Sequence, residues 1–454
     1  MAKRQLKLGA VLMGVGGPGD QWSWKDPEVP GDASVDIDWY IARARQAEAA
    51  KFDQVFIVDS QYITDRSPNH YLNRLEPFTL LSALAVATEN IGLVGTVSTS
   101  YNEPFNVARR FASLDLISRG RAGWNVVATG DGGTARNFSR DEHFDYEHRY
   151  GRALEHVRVV QGLWNSYEDG AFPRDREAGV FFDPSRQHRL DHEGRYFQVE
   201  GPLNVDRSAQ GQPVIFQAGD SEEGRQLGAA IADAIFTHAN TVAEGKAFRD
   251  DIRRRVLAAG RDPERVLILP GVQIVVRDTV EEAREVERSR RDAPSFGQQL
   301  ALLGRPFGWH DFTQYDPDAP FPDLGDLGKD SFKTQAEAIK KTARDGGLTL
   351  RQTVERFFGY TPGPFVGTAA SVADEITEWF EAGALDGLNV SVTVPGEFAR
   401  FVEEVLPILR RRGIAREEYD GGNPHGSTLR GNLGLPVPEN THSIKSAGLA
   451  AAAS

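Results

Sequence analysis

Polar side chains able to hold a ligand recur at one kind of place in this chain, at or just beyond the end of a short apolar run. Asp59 follows Gln54–Val58 (QVFIV), Thr96 lies near the end of Ile91–Ser98, and Trp124 and Asn125 sit inside Arg121–Val127 (RAGWNVV). A carboxylate in such a place is expensive to bury unpartnered, and a hydroxyl, indole or amide inside an apolar strand must bond something. Each position also has a plain structural use. Asp59 can cap a helix or meet a neighbouring cation, and Thr96 can bond an adjacent strand. Tyr146 and Tyr150 stand four apart, so a helix would put both phenols on one face. Such a stripe commonly serves a core, but hydroxyls at a helix start also reach a phosphate. Gln217-Ala218-Gly219-Asp220-Ser221-Glu222-Glu223-Gly224 ends one apolar run and opens a helix. Ser221 is a good N-cap, and the backbone N–H groups of a helix start also form an anion site. Glu222 and Glu223 would oppose a phosphate there unless they turn away.

Other patterns carry less. Gly14-Val15-Gly16-Gly17-Pro18-Gly19 matches G-x-G-x-x-G, but Pro18, Pro27 and Pro30 follow and no helical period starts before about residue 35. The dinucleotide fingerprint needs a helix at that point, so these glycines read as a loop. His188 and His192 are four apart but fall in an expected hairpin, and Glu439 with His442 falls in a polar tail; surface roles suit both pairs better than metal ligation. The chain has no cysteine, which excludes disulfides and thiolate chemistry. Its net charge is −13, with basic residues scattered among acids, which argues against nucleic acid and anionic membranes as partners. No run approaches the length of a membrane span. Leu8–Val15 follows Lys3 and Arg4 in the manner of a secretion signal, yet Gly16–Asp20 (GGPGD) offers no cleavage pattern. We read it as a buried first strand and expect a cytoplasmic protein.

The elements that must position these residues alternate. Apolar runs at 6–13, 54–58, 91–98, 121–127, 214–217, 234–237, 266–276 and 387–392 read as strands. Helical periods at 35–50, 77–88, 107–118, 146–167, 280–292, 370–382 and 397–411 separate most of them. Short strands without a polar face belong to a parallel sheet covered on both sides. Eight such units fit a (β/α)8 barrel better than an open sheet. The expected organisation is one α/β TIM-barrel domain over residues 1–415, with a lid-like insertion at about 280–370. Residues 293–330, rich in Pro, Gly and Asp, are expected as a long loop, and residues 416–454 as an irregular tail.

Seven blocks in order, KFDQVFIVDS (51–60), FNVARRFASLDLIS (105–118), GRAGWNVV (120–127), ARNFS (135–139), HRYGRALE (148–155), GPLNVDRSAQGQPVIFQAGDSEEGR (201–225) and DGLNV (386–390), resemble the bacterial-luciferase-like flavin monooxygenases. The resemblance is to the group of nitrilotriacetate monooxygenase component A and dibenzothiophene-sulfone monooxygenase. It implies a luciferase-like barrel and an enzyme inserting one oxygen atom from O2 into a small organic substrate. It implies FMN, used as FMNH2 from a separate NAD(P)H:flavin reductase, and a homodimer or higher homo-oligomer. It implies a flavin site of Asp59 and Thr96 at the ring end and Tyr146, Tyr150 and Ser221 towards the phosphate, with Asn125 and Gln217 behind them. There are departures: Gly130 stands where a relative has a proposed catalytic His, and Ser139 where relatives have Gly. A deazaflavin- or flavin-linked oxidoreductase, or a non-catalytic flavin-binding protein, on the same barrel are the alternatives. By position alone, Tyr62, Trp24, Phe144, Trp309 and His310 are expected along the pocket, and loops 14–34 and 293–330 as its lid. Arg66, Arg74 and Arg305 either favour an anionic substrate or are solvated.

Overall fold

A computed structural model describes residues 4–17, 23–291, 295–359, 362–419 and 427–443. Eight parallel strands close into a barrel in chain order: β1 (Lys7–Leu12), β2 (Gln54–Ile57), β3 (Gly92–Ser98), β4 (Ala122–Val127), β5 (Val214–Gln217), β6 (Ala234–Thr237), β7 (Leu267–Val272) and β8 (Gly387–Val392). β8 returns to β1, with Lys7 opposite Gly387 and Leu12 opposite Val392. Both strand faces are covered, which is why the runs read as continuous rather than alternating. Val11, Phe56, Val94, Phe216 and Leu269 point inward and fill the barrel. The residues between them pack outward against the helices, as Trp124 does by donating its indole N–H to the Val97 carbonyl at 3.0 Å.

The surrounding helices begin where capping chemistry permits. α1 (Ile37–Ala49) is capped by Asp36, α2 (Pro77–Ala87) by Glu76 with proline in its first turn, and α4 (Tyr146–Leu163) by Asp145. α3 (Pro104–Ile117), α5 (Glu222–Ile231) and α6 (Val242–Ala258) complete this part of the ring. Gly14 packs on the backbone of Ala33 and Ser34, and no α-helix starts before Ile37 among the described residues, so the glycine pattern after β1 opens no dinucleotide helix. Residues 18–22 of that loop lie outside the described residues.

Between β7 and β8 the chain leaves the barrel. Val275–Val276 pairs with Val366–Gly367 at the neck of this excursion. Beyond the neck lie α7 (Val280–Arg291), α8 (Phe296–Gly304), α9 (Lys333–Gly346) and α10 (Leu350–Phe358), and α11 (Ala369–Glu381) follows. Leu303, Phe307, Phe312, Ala336, Ile339 and Leu350 give the excursion a small core of its own. The expected loop at 293–330 is thus partly helical: α8 opens with a capping box of Ser295 and Gln298. The expected hairpin pairs His192–Glu193 with Gln198–Val199, slightly further along than its apolar residues suggest.

The expected irregular tail is the main correction. Residues 427–443 are ordered against the barrel's N-terminal end. α12 (Leu429–Leu433) presses Leu429 against Gly92 of β3 and Gly123 of β4, where any Cβ would collide with it. Arg416 donates to the Asp53 carboxylate at 2.7 Å, and both side chains are buried. Residues 420–426 and the alanine-rich end, 444–454, lie outside the described residues.

Candidate active site

The C-terminal ends of the strands open onto a cavity of about 780 Å3. Asp59, Thr96, Tyr146, Tyr150 and Ser221 all line it, and so does Gln217. They come from the ends of β2, β3 and β5 and the starts of α4 and α5, so the barrel brings to one space residues distant in sequence.

At one end, Thr96 and Asn125 are register partners on β3 and β4, and the Asn125 amide donates to the Thr96 hydroxyl at 3.0 Å. The Asn125 carbonyl oxygen is buried without a protein partner among the described residues. Asp59 is half-buried; burial pushes its carboxyl up to about 6, although the Arg74 cation pulls the other way.

At the other end, Ser221 caps α5 by accepting from the Gly224 N–H at 3.0 Å, and the Tyr150 hydroxyl lies 3.3 Å from the same oxygen. The Tyr146 and Tyr150 rings are 5.0 Å apart, and burial raises the Tyr146 phenol well above its usual range. Gly219 passes so close to Gly224 that a side chain on either would strike backbone, which lets the chain turn tightly into the helix. Glu222 turns away and pairs with Arg255 at 2.6 Å, while Glu223 stays beside Tyr146. Lys333 sits 4.9 Å above the Tyr146 ring and Arg149 5.1 Å from it, so two cations face the phenols.

The excursion between β7 and β8 forms one wall through Ser331, Phe332, Lys333 and Thr334. Arg149, buried on α4, holds that wall by donating to the carbonyl of Asp330 at 3.0 Å. Asp131 holds it again, receiving Arg305 at 3.5 Å and the Trp309 indole at 3.3 Å.

A profile of the luciferase-like monooxygenase family matches residues 18–386. The chain is 42% identical to N-acetyl-S-(2-succino)cysteine monooxygenase of Bacillus subtilis (strain 168), over 97% of this chain and 99% of that one. It is 41% identical to nitrilotriacetate monooxygenase component A of Aminobacter aminovorans, over 97% and 98%. Among solved structures, a riboflavin lyase crystallised with modified FMN and riboflavin superposes with a TM-score of 0.84 at 33% identity, covering 98% of this chain and 99% of that one. The chain belongs to the luciferase-like monooxygenase family. It is a flavin-dependent monooxygenase of the two-component kind.

In this monooxygenase the Gly130 departure has a physical reason. A Cβ there would lie 3.1 Å from the Phe332 ring, so the wall of the excursion occupies the space a histidine would need. Tyr62, Trp24, Phe144, Trp309 and His310, expected along the pocket, line neither this cavity nor its neighbour. Tyr62 packs over Gly133, Trp24 is exposed, Phe144 stacks on His148, His310 bonds the Tyr315 hydroxyl, and Trp309 stands behind Asp131. Sequence reasoning missed Asp131, Arg149 and Lys333. The only signal was HRYGR, which sets two arginines around the second tyrosine.

Proposed function

We propose that this monooxygenase holds reduced FMN in the larger cavity, takes it as FMNH2 from a separate NAD(P)H:flavin reductase, and inserts one atom of O2 into a small organic substrate. The carrying observation is the convergence of Asp59, Thr96, Tyr146, Tyr150 and Ser221 on one space of ligand size. The residues fit the group. The orphaned Asn125 carbonyl and the Thr96 hydroxyl suit the polar edge of a flavin ring, and the capped start of α5 with Tyr146, Tyr150, Arg149 and Lys333 suits a phosphate. The bound reduced flavin supplies the activation of O2. The protein's share is placement: Asp59 and Thr96 set the ring, the hydroxyls and cations anchor the phosphate, and residues 331–334 keep water out.

The name "component A" on one relative supports delivery by a partner, and the riboflavin lyase structure supports FMN as the form bound. Val86 on α2 and Leu116 and Ile117 on α3 are exposed apolar side chains, which suits assembly into a homodimer. A cytoplasmic location accords with dependence on NAD(P)H. Anaerobic titration with FMNH2, in parallel with reduced deazaflavin, tests the reading. Tight, selective FMNH2 binding followed by O2 uptake is expected; a preference for deazaflavin, or no binding of either, would refute it.

A further inference from the structure

The larger cavity occupies one side of the barrel mouth. On the other side a second cavity of about 450 Å3 opens over Val11 from β1, Met13 just beyond it, Phe236 from β6 and Ser391 from β8, with Gly363 and Pro364 contributing from the excursion. His238 lines both cavities and marks their junction. Among the described residues, no Asp, Glu, Lys or Arg lines this second space.

His70 does line it, and its state is unusual. The ring is 6% exposed, and neither nitrogen has a hydrogen-bond partner among the described residues. A buried polar group left unpaired is destabilising, and such groups persist where a ligand completes them. Burial, Arg74 and Arg305 together push the imidazole down to about 3, so it is neutral at working pH and presents one N–H donor and one acceptor. Directly behind it is a second incomplete group. Arg74 lines an adjoining recess that shares Met13, Val58 and His70 with the second cavity. Its guanidinium donates to the Val58 carbonyl at 3.0 Å and to the His70 carbonyl, while its Nε is buried without a partner. Arg74 and Arg305 both stand on the Tyr71 ring, at 4.9 and 4.8 Å. Asp131 answers the charge of Arg305, but no ion pair forms at Arg74 among the described residues. Asp59 lies close enough to be felt by Arg74 but forms no ion pair with it among the described residues. A buried cation without a paired carboxylate favours an incoming anion.

We propose that the second cavity takes the substrate and that His70 and Arg74 form its anion-recognising corner. The substrate is then a small organic acid, its carboxylate at His70 with the Arg74 charge behind it, and its apolar remainder over Met13 and Phe236. The inference rests on the flavin reading, because it assigns the larger cavity to the flavin. It separates this chain's chemistry from that of an enzyme for uncharged substrates, whose cavity would have no use for an unpaired guanidinium.

Calorimetry on the full chain, with and without anaerobic FMNH2, tests it with two acids named by the relatives, nitrilotriacetate and N-acetyl-S-(2-succino)cysteine, each against its methyl ester. At least one acid should bind about ten-fold or more tighter than its ester. Arg74→Gln and His70→Gln should each weaken the acid about ten-fold, with Arg74→Lys losing less, and circular dichroism should show all three folded. Esters binding as well as acids, no acid binding, or acid binding indifferent to both glutamine variants would overturn the assignment. FMNH2 titrated alone keeps the readings apart: failure of flavin binding with acid binding intact sinks the flavin reading only, and the reverse sinks this one.

Discussion

Asp59 shows how a residue can serve the site at the expense of the fold. Burial lifts its carboxyl from 3.8 to about 6, so the native state binds more protons than the unfolded chain between those values. Stability therefore falls as pH rises through that window, and the loss is complete above about 6. Asp59→Asn removes the charge while keeping the shape. Its apo form should unfold at the wild-type temperature near pH 4 and at a higher temperature near pH 8, while its affinity for FMNH2 falls. Thermal unfolding at the two pH values checks the first part, and a stability gain of equal size at both would contradict it. Asp59, Thr96 and Ser221 were legible because each stands at the end of a strand that cannot be anything else, and Tyr146 with Tyr150 because helical spacing puts both on one face. Asp131, Arg149 and Lys333 were not. Their meaning comes from contact of α4 and of the loop after β4 with a wall more than 170 residues further on, and no local pattern records that pairing. Arg66, Arg74 and Arg305 were indistinguishable as sequence, yet Arg66 lies half-exposed against Asp311 while the other two are drawn into the barrel mouth.

At the scale of an element, α5 separates two uses of one serine. Ser221 caps the helix, and on our reading its hydroxyl and the N–H groups beside it also meet the flavin phosphate. Ser221→Asp should keep the cap, since aspartate is an equally good N-cap, and cost less than about 1 kcal/mol of stability. It should nonetheless weaken FMNH2 severely by placing a carboxylate against a phosphate. Riboflavin, which has no phosphate, should be affected far less; equal losses for both flavins would place the phosphate elsewhere. Elements were read well where both faces are covered and poorly where packing is local to an excursion. All eight strands were evident, whereas α8 hides in a Pro- and Gly-rich stretch and is held by a small core that forms only once α9 and α10 are present. The closing helix likewise contains a π-turn at Phe401–Val405 that spacing does not announce.

For the whole molecule, the two ends of the barrel divide the work. The mouth carries the candidate chemistry and the floor carries stability, as in other barrels of this kind. The floor is sealed from outside the barrel's own strands, by Leu429, Leu433 and Leu435. A short, glycine-containing helix gives no periodic signal, which is why this stretch read as an unstructured tail. Leu429→Ala should leave a void against Gly92 and Gly123 and lower stability by roughly 2–5 kcal/mol in urea unfolding. FMNH2 affinity per folded molecule should stay unchanged, because the void lies at the opposite end from the site.

That seal also sets a timetable. β3 and β4 leave the ribosome roughly 300 residues before Leu429 does, an interval of roughly 15–60 s at ordinary translation rates. Throughout it, the glycine-floored bottom of the nascent barrel has nothing to cover it. The strands can collapse early, but the cylinder is corked only once Leu429 has emerged, so any message truncated before that point yields a product with an open apolar base for chaperones or proteases to find.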